Sequence, residues 1–148
     1  MVRWLLASLH LLGLGVGLGA VLARGLALRS PLHDQGLRWV FLADTAWGLA
    51  AFLWIGTGLW RFLAGQEKPT DFYLANHLFL TKMALLAIVL ALELRPMMTL
   101  IGWRRLAAQG RLPDVAVAPR LARISFWQAG LIVLMVFLAA GMARGYGA

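Results

Sequence analysis

The chain has 148 residues, of which 61% are hydrophobic and only 14% are charged, and it contains no cysteine. A soluble domain is far less apolar than this, and the length allows one domain. The lack of cysteine excludes disulfides, iron–sulfur clusters and thiolate catalysis. The net charge of +8 does not indicate nucleic acid, because the basic residues lie in short segments between apolar runs, where membrane topology places them.

Four long apolar runs follow one another along the chain, at residues 4–23, 39–60, 78–94 and 124–143. Each approaches the ~20 apolar residues that an α-helix needs to cross the hydrocarbon core. Lipid cannot hydrogen-bond to exposed backbone groups, so each run is predicted to be a helix. We therefore expect an all-α fold, a transmembrane four-helix bundle that forms a single domain over residues 1–148, with helices crossing at shallow angles.

The segments between these spans predict connections, because they contain glycine, proline and charged residues. Residues 24–38 predict a tight polar connection, and Lys68–Pro69 predicts a turn before span 3. Residues 103–123 predict the longest connection, in which Trp103 either anchors the topology or begins an amphipathic stretch at the interface.

Basic residues are unevenly divided between the two sides of the predicted bundle. The first and third connections contain nine arginines, whereas the other side contains four basic residues, Arg3, Arg61, Lys68 and Arg144. The positive-inside rule then places both basic connections in the cytoplasm and both termini in the periplasm. The expected location is the bacterial inner membrane.

Ionisable residues inside the spans are costly and are functional candidates by default. His10 lies about 9 Å into span 1 from Trp4, and Lys82 lies at nearly the same depth in span 3, which runs in the same direction. A second polar layer is predicted nearer the cytoplasmic side, formed by Arg24, Asp44, Glu93 and Gln128.

Helical spacing places these polar residues on shared faces. In span 1 the face that carries His10 and Arg24 also carries Gly13 and Gly17, and in span 3 Lys82 shares a face with Glu93. A glycine face allows close helix packing or leaves room for a flat cofactor, and packing is the more common case.

Each of these residues also has a purely structural interpretation. His10 is either a neutral histidine bonded to a neighbouring helix or a metal ligand, and Lys82 could extend its ammonium group to the interface. Asp44 and Glu93 are expected to pair with arginine, the candidates being Arg24, Arg95 and Arg123. His77 is expected at the interface and His33 in a solvated connection.

Two sequence stretches carry a family resemblance. Span 1, LLASLHLLGLGVGLGAVLAR, has one early histidine and a final arginine, and span 3, HLFLTKMALLAIVLALEL, has one early lysine. In this pairing the chain resembles HemJ-type protoporphyrinogen oxidases and the wider CopD-like group of four-span membrane proteins. Within that group it is most similar to an uncharacterised bacterial family with a tail like Met142–Gly147.

The resemblance implies haem b as the cofactor, with His10 as a ligand of the haem iron. It also implies a role for Lys82, either as the second ligand or as a cation for a propionate. Gly13, Gly17 and Arg24 complete the predicted cofactor-binding set. If the protein is an enzyme, the implied type is a protoporphyrinogen oxidase-like oxidoreductase.

The leading functional prediction is a haem b-binding membrane protein that acts on a tetrapyrrole or a lipophilic electron carrier. The alternative is a non-enzymatic small membrane protein, such as a subunit, chaperone or transport component, whose polar layers only stabilise the bundle. The lipid bilayer is the expected partner, and association into a homo-oligomer stays open.

Overall fold

The computed structural model describes residues 1–65 and 70–147. These ranges contain no strand and form five α-helices: α1 (Val2–Ala27), α2 (Asp34–Leu63), the short α3 (Thr70–Ala75), α4 (His77–Ala108) and α5 (Ala118–Ala143). Within them, four helices, all except α3, are long and apolar enough to cross a membrane. The predicted all-α architecture is confirmed, and its geometry is consistent with a four-helix bundle.

The helices are longer than the apolar runs that predicted them. α4 continues through Pro96 to Ala108, and α5 begins at Ala118, so the predicted connection over residues 103–123 is wrong in extent. Trp103 is buried in a cluster with Leu100, so its ring is not exposed on the surface of the bundle. The turn predicted at Lys68–Pro69 lies outside the described residues.

Three helix pairs make the main contacts, α1 with α2, α4 with α5, and α1 with α5. Leu28 and Leu32 pack in one apolar cluster with Val115 and Val117, so the connections 28–33 and 109–117 lie at the same end of the bundle. Both termini lie at the other end, where the backbone N–H of His77 donates to Gly147 O at 3.0 Å. This arrangement agrees with the alternating direction of the four predicted spans.

The apolar core is divided into two clusters along the bundle axis. One contains Val21, Trp47 and Val89, and the other contains Leu28 and Leu100. On each long helix a polar residue falls between the positions that contribute to these two clusters, namely Arg24, Asp44, Glu93 and Gln128. Apolar packing therefore covers the polar side chains from both directions.

The C-terminal tail is fixed to the start of α4 by Asn76, which is fully buried. Its Oδ1 accepts from the backbone N–H groups of Leu78 (3.0 Å) and Phe79 (3.2 Å), and its Nδ2 donates to Tyr146 O at 3.1 Å. Gly147 has a φ of +83°, and an added Cβ would lie 2.6 Å from Leu78 Cγ. The tail that carries part of the family resemblance thus holds the first turn of α4.

Candidate functional site

A cavity of about 410 Å³ lies at the end of the bundle that carries the termini, and all five helices contribute to its wall. We call it the terminal cavity. Its ionisable side chains are His10 and Lys82, and the rest of its lining is apolar apart from the backbone of Gly58. The structure therefore brings together the two residues that sequence depth placed at the same level.

Aromatic rings pack together at one end of the terminal cavity. Phe62 of α2 stacks on Phe79 of α4 with 5.2 Å between ring centroids, and Tyr73 of α3 lies 5.1 Å from Phe79. The Lys82 ammonium lies 5.4 Å from the centroid of the Phe79 ring, within the range of a cation–π contact. The lysine charge is thus placed in the cavity wall, beside the aromatic end.

His10 is held in place by α2. Its Nδ1 lies 2.9 Å from Trp54 O and 3.2 Å from Thr57 Oγ1. A carbonyl oxygen only accepts, so this contact places the proton on Nδ1, and in the neutral ring the lone pair then belongs to Nε2. The ring lies against Gly58, where an added Cβ would come within 2.8 Å of His10 Cε1.

The glycine face of α1 packs against α2. A Cβ at Gly13 would lie 3.0 Å from the backbone nitrogen of Trp54, and one at Gly17 would lie 3.3 Å from the Trp47 ring. Neither glycine lines the terminal cavity. This geometry favours the helix-packing interpretation of Gly13 and Gly17, since the space beside them is taken by α2.

The remaining histidines lie away from the cavity lining. His77 is exposed at the first position of α4, and His33 is the exposed residue before α2. Arg24, predicted as part of the cofactor set, lies in a separate polar cluster nearer the other end of the bundle. Cofactor binding by the predicted set stays a prediction, and His10 and Lys82 are the members of that set that line the terminal cavity.

The separate cluster surrounds Arg24, whose side chain is fully buried. Its Nη1 donates to Asp44 Oδ1 (2.9 Å) and Glu93 Oε1 (2.7 Å), and its Nη2 donates to Glu93 Oε2 (2.8 Å) and Gln128 Oε1 (2.9 Å). Its Nε donates to Ser125 Oγ at 3.1 Å. All five guanidinium N–H groups therefore have partners, which come from the three other long helices.

Further hydrogen bonds extend this cluster. Arg104 of α4 donates to Asp44 Oδ2 at 3.0 Å and to Phe41 O at 2.8 Å, and Gln128 Nε2 donates to Glu93 Oε2 at 2.8 Å. We call the set the polar layer: Arg24, Asp44, Glu93, Arg104, Ser125 and Gln128. Its two arginines balance its two carboxylates, so the layer is formally neutral.

Sequence reasoning placed four members of the polar layer together and missed Arg104 and Ser125. Of the three arginines considered as partners for the carboxylates, Arg24 is the one that pairs with them. Ser125 lies three residues before Gln128, and this helical spacing could have revealed it. Thr57 was also missed, although its hydroxyl lies beside His10.

Comparison with known proteins gives one family. A family model described as "Predicted membrane protein (DUF2214)" matches residues 2–147. No curated protein and no solved structure matches the chain. The family description supports membrane location and gives no reaction or cofactor, so the relationship to HemJ-type and CopD-like proteins stays a prediction.

Proposed function

The chain belongs to the DUF2214 family of predicted membrane proteins, and we propose that it binds haem b in the terminal cavity, with His10 as a ligand of the iron. One observation carries the proposal. His10, fixed through Nδ1 by the Trp54 carbonyl, lines an apolar cavity of about 410 Å³ that Lys82 also lines.

The donor set fits haem better than a bare metal ion. In the described part of the chain, no group of three or more histidine or acidic side chains could hold a metal ion. A protein zinc or iron ion usually needs three or four such ligands. Haem brings four ligands of its own, so one imidazole is sufficient to attach it.

The cavity has the size and polarity that are usual for cofactor pockets. Cofactor pockets usually enclose about 300–1,000 Å³ and are mostly apolar with a few placed polar groups. Here the apolar wall includes Trp54, Leu86 and Met135. An imidazole whose Nδ1 donates to a backbone carbonyl is the usual arrangement of a metal-bound histidine, because this bond fixes the ring and its tautomer.

Lys82 is proposed as a cation for a haem propionate. Its ammonium lies 5.4 Å from the centroid of the Phe79 ring, within the range of a cation–π contact. Iron ligation would require the ammonium to lose its proton, whereas pairing with a carboxylate would not. When bound, haem b supplies a redox centre, while the chain positions it and keeps water from it.

An absorption spectrum tests the proposal. Full-length protein purified in mild detergent from haem-sufficient cells is expected to show a Soret band, with α and β bands after reduction. If folded protein shows no Soret band even after haemin is added, the haem proposal fails. The structural alternative, in which the polar residues only stabilise the bundle, would then be preferred.

The orientation is a further proposal, in which both termini face the periplasm. It is supported by the nine-to-four division of basic residues and by the position of both termini at one end of the bundle. A reporter that is active only in the periplasm is expected to be active at the C-terminus and inactive when inserted at Gly110. The opposite pattern in stably inserted fusions would reverse the orientation.

A further inference from the structure

A second cavity, shallow and open to the surface, lies near the end of the bundle opposite the terminal cavity. It has a volume of about 200 Å³ and is lined by Arg29, Arg123, Phe126 and Trp127. We call it the arginine cavity. Arg29 follows the end of α1 and Arg123 lies in the second turn of α5, so two helices that pack together each place one arginine beside it.

Close packing of α1 on α5 builds this cavity. An added Cβ at Gly25 would lie 3.0 Å from two atoms of the Phe126 ring, so the ring rests directly on α1. Arg29 lies one helical turn after Gly25, and its guanidinium is 4.7 Å from the Phe126 centroid. This cation–π contact places the Arg29 guanidinium beside the ring, where its N–H groups can still donate to a ligand.

These two arginines differ from those of the polar layer. Arg24 and Arg104 both pair with carboxylates. Among the described residues, no ion pair joins Arg29 or Arg123 to an acidic side chain. Two cations thus share one small cavity without an anion from the protein, which is an arrangement suited to an anionic ligand.

Trp127 indicates the source of that anion. Its side chain is 69% exposed and lies one turn after Arg123, on the same face of α5. Exposed tryptophan is typical of the membrane–water interface, where lipid phosphates lie. Basic pockets between transmembrane helices at this level bind anionic headgroups.

We infer that Arg29 and Arg123 form a binding site for a phosphate group, presented at the membrane surface by an anionic phospholipid. The guanidinium groups would hold the phosphate oxygens, and the Trp127 ring would contact the apolar part of the lipid. The inference does not rest on haem binding, because the arginine cavity and the terminal cavity share no lining residue.

Lipid binding by the delipidated, full-length protein in detergent tests the inference. Native mass spectrometry is expected to show phosphatidylglycerol bound on the order of tenfold more tightly than phosphatidylcholine, because each arginine favours anionic lipid. The double variant Arg29→Gln/Arg123→Gln should lose this preference. The matched variant Arg95→Gln/Arg111→Gln removes two exposed charges elsewhere and should keep it.

A second experiment, with soluble phosphates, distinguishes a lipid headgroup from a free anion as the source of the phosphate. Inorganic phosphate and glycerol 3-phosphate are titrated against the same proteins while thermal unfolding is followed. One outcome is that soluble phosphate stabilises the protein only when both arginines are present, while the two lipids bind equally. That result would support the phosphate site, with a free anion rather than a lipid as its ligand. Equal binding of the two lipids and no effect of soluble phosphate would overturn the inference, as would equal loss of preference in the control variant.

Discussion

Replacing Arg24 with methionine is expected to lower the free energy of unfolding by about 3–5 kcal/mol, the usual effect of removing one partner from a buried ion pair. The guanidinium is fully buried and makes five hydrogen bonds. Its loss would leave Glu93 without its two-point partner and Asp44 with Arg104 alone. Unfolding of purified protein in mixed detergent measures the change.

Two further variants identify the cause of that loss. Arg24→Met combined with Glu93→Gln removes the unpaired charge and is expected to recover part of the stability, because neutral replacements of buried ion pairs are often tolerated. Arg38→Met changes an exposed arginine on α2 and should alter stability by less than about 0.5 kcal/mol. If Arg24→Met behaves like Arg38→Met, the polar layer does not hold the bundle together.

The polar layer was largely predictable because it depends on depth and helical phase. Arg24 and Glu93 lie near the ends of two spans predicted to run in the same direction, and an unpaired charge there would be costly, so a pairing of Glu93 with an arginine was expected. The sequence did not reveal that Arg104 of α4 pairs with Asp44, because Trp103–Arg105 resembles the start of a loop. In the structure Trp103 is buried by tertiary packing, and α4 continues past these arginines to Ala108.

Of the terminal cavity, only the two ionisable residues could be predicted from the sequence. Equal depth and direction placed His10 and Lys82 at one level, but helix order decides whether residues at one level meet. The glycine face of α1 could have left room for a flat cofactor. In the structure Gly13 and Gly17 instead pack directly against α2. The aromatic end depends on α3 and on Asn76, whose long-range contact with the tail has no local signal.

The polar layer and the terminal cavity are expected to respond independently to mutation, so variants can separate an effect on stability from an effect on cofactor binding. Apolar residues that include Val89 and Ile132 lie between the polar layer and the terminal cavity. A variant of Arg24 should therefore lose stability and still bind haem while it stays folded. A variant in the cavity should lose haem with a smaller change in stability.

His10→Ala is expected to abolish or severely reduce haem retention. The unperturbed pKa of imidazole is ~6.5, so it binds iron near neutral pH without first losing a proton from a charged group, whereas the unperturbed pKa of a lysine ammonium is ~10.4. Lys82→Met should therefore retain some haem but shift its absorption spectrum or reduction potential. The ratio of Soret to protein absorbance, read on monodisperse protein, gives haem content.

Gly58→Ala provides a variant that keeps the imidazole but disturbs its position. The new methyl group would come within 2.8 Å of His10 Cε1, so the ring must shift, and haem content or its spectrum should change. His77→Ala is the matched histidine control, because His77 is exposed at the start of α4, and it should retain haem. If His77→Ala removes the haem while His10→Ala keeps it, the ligand is at the start of α4 and the proposed site is wrong.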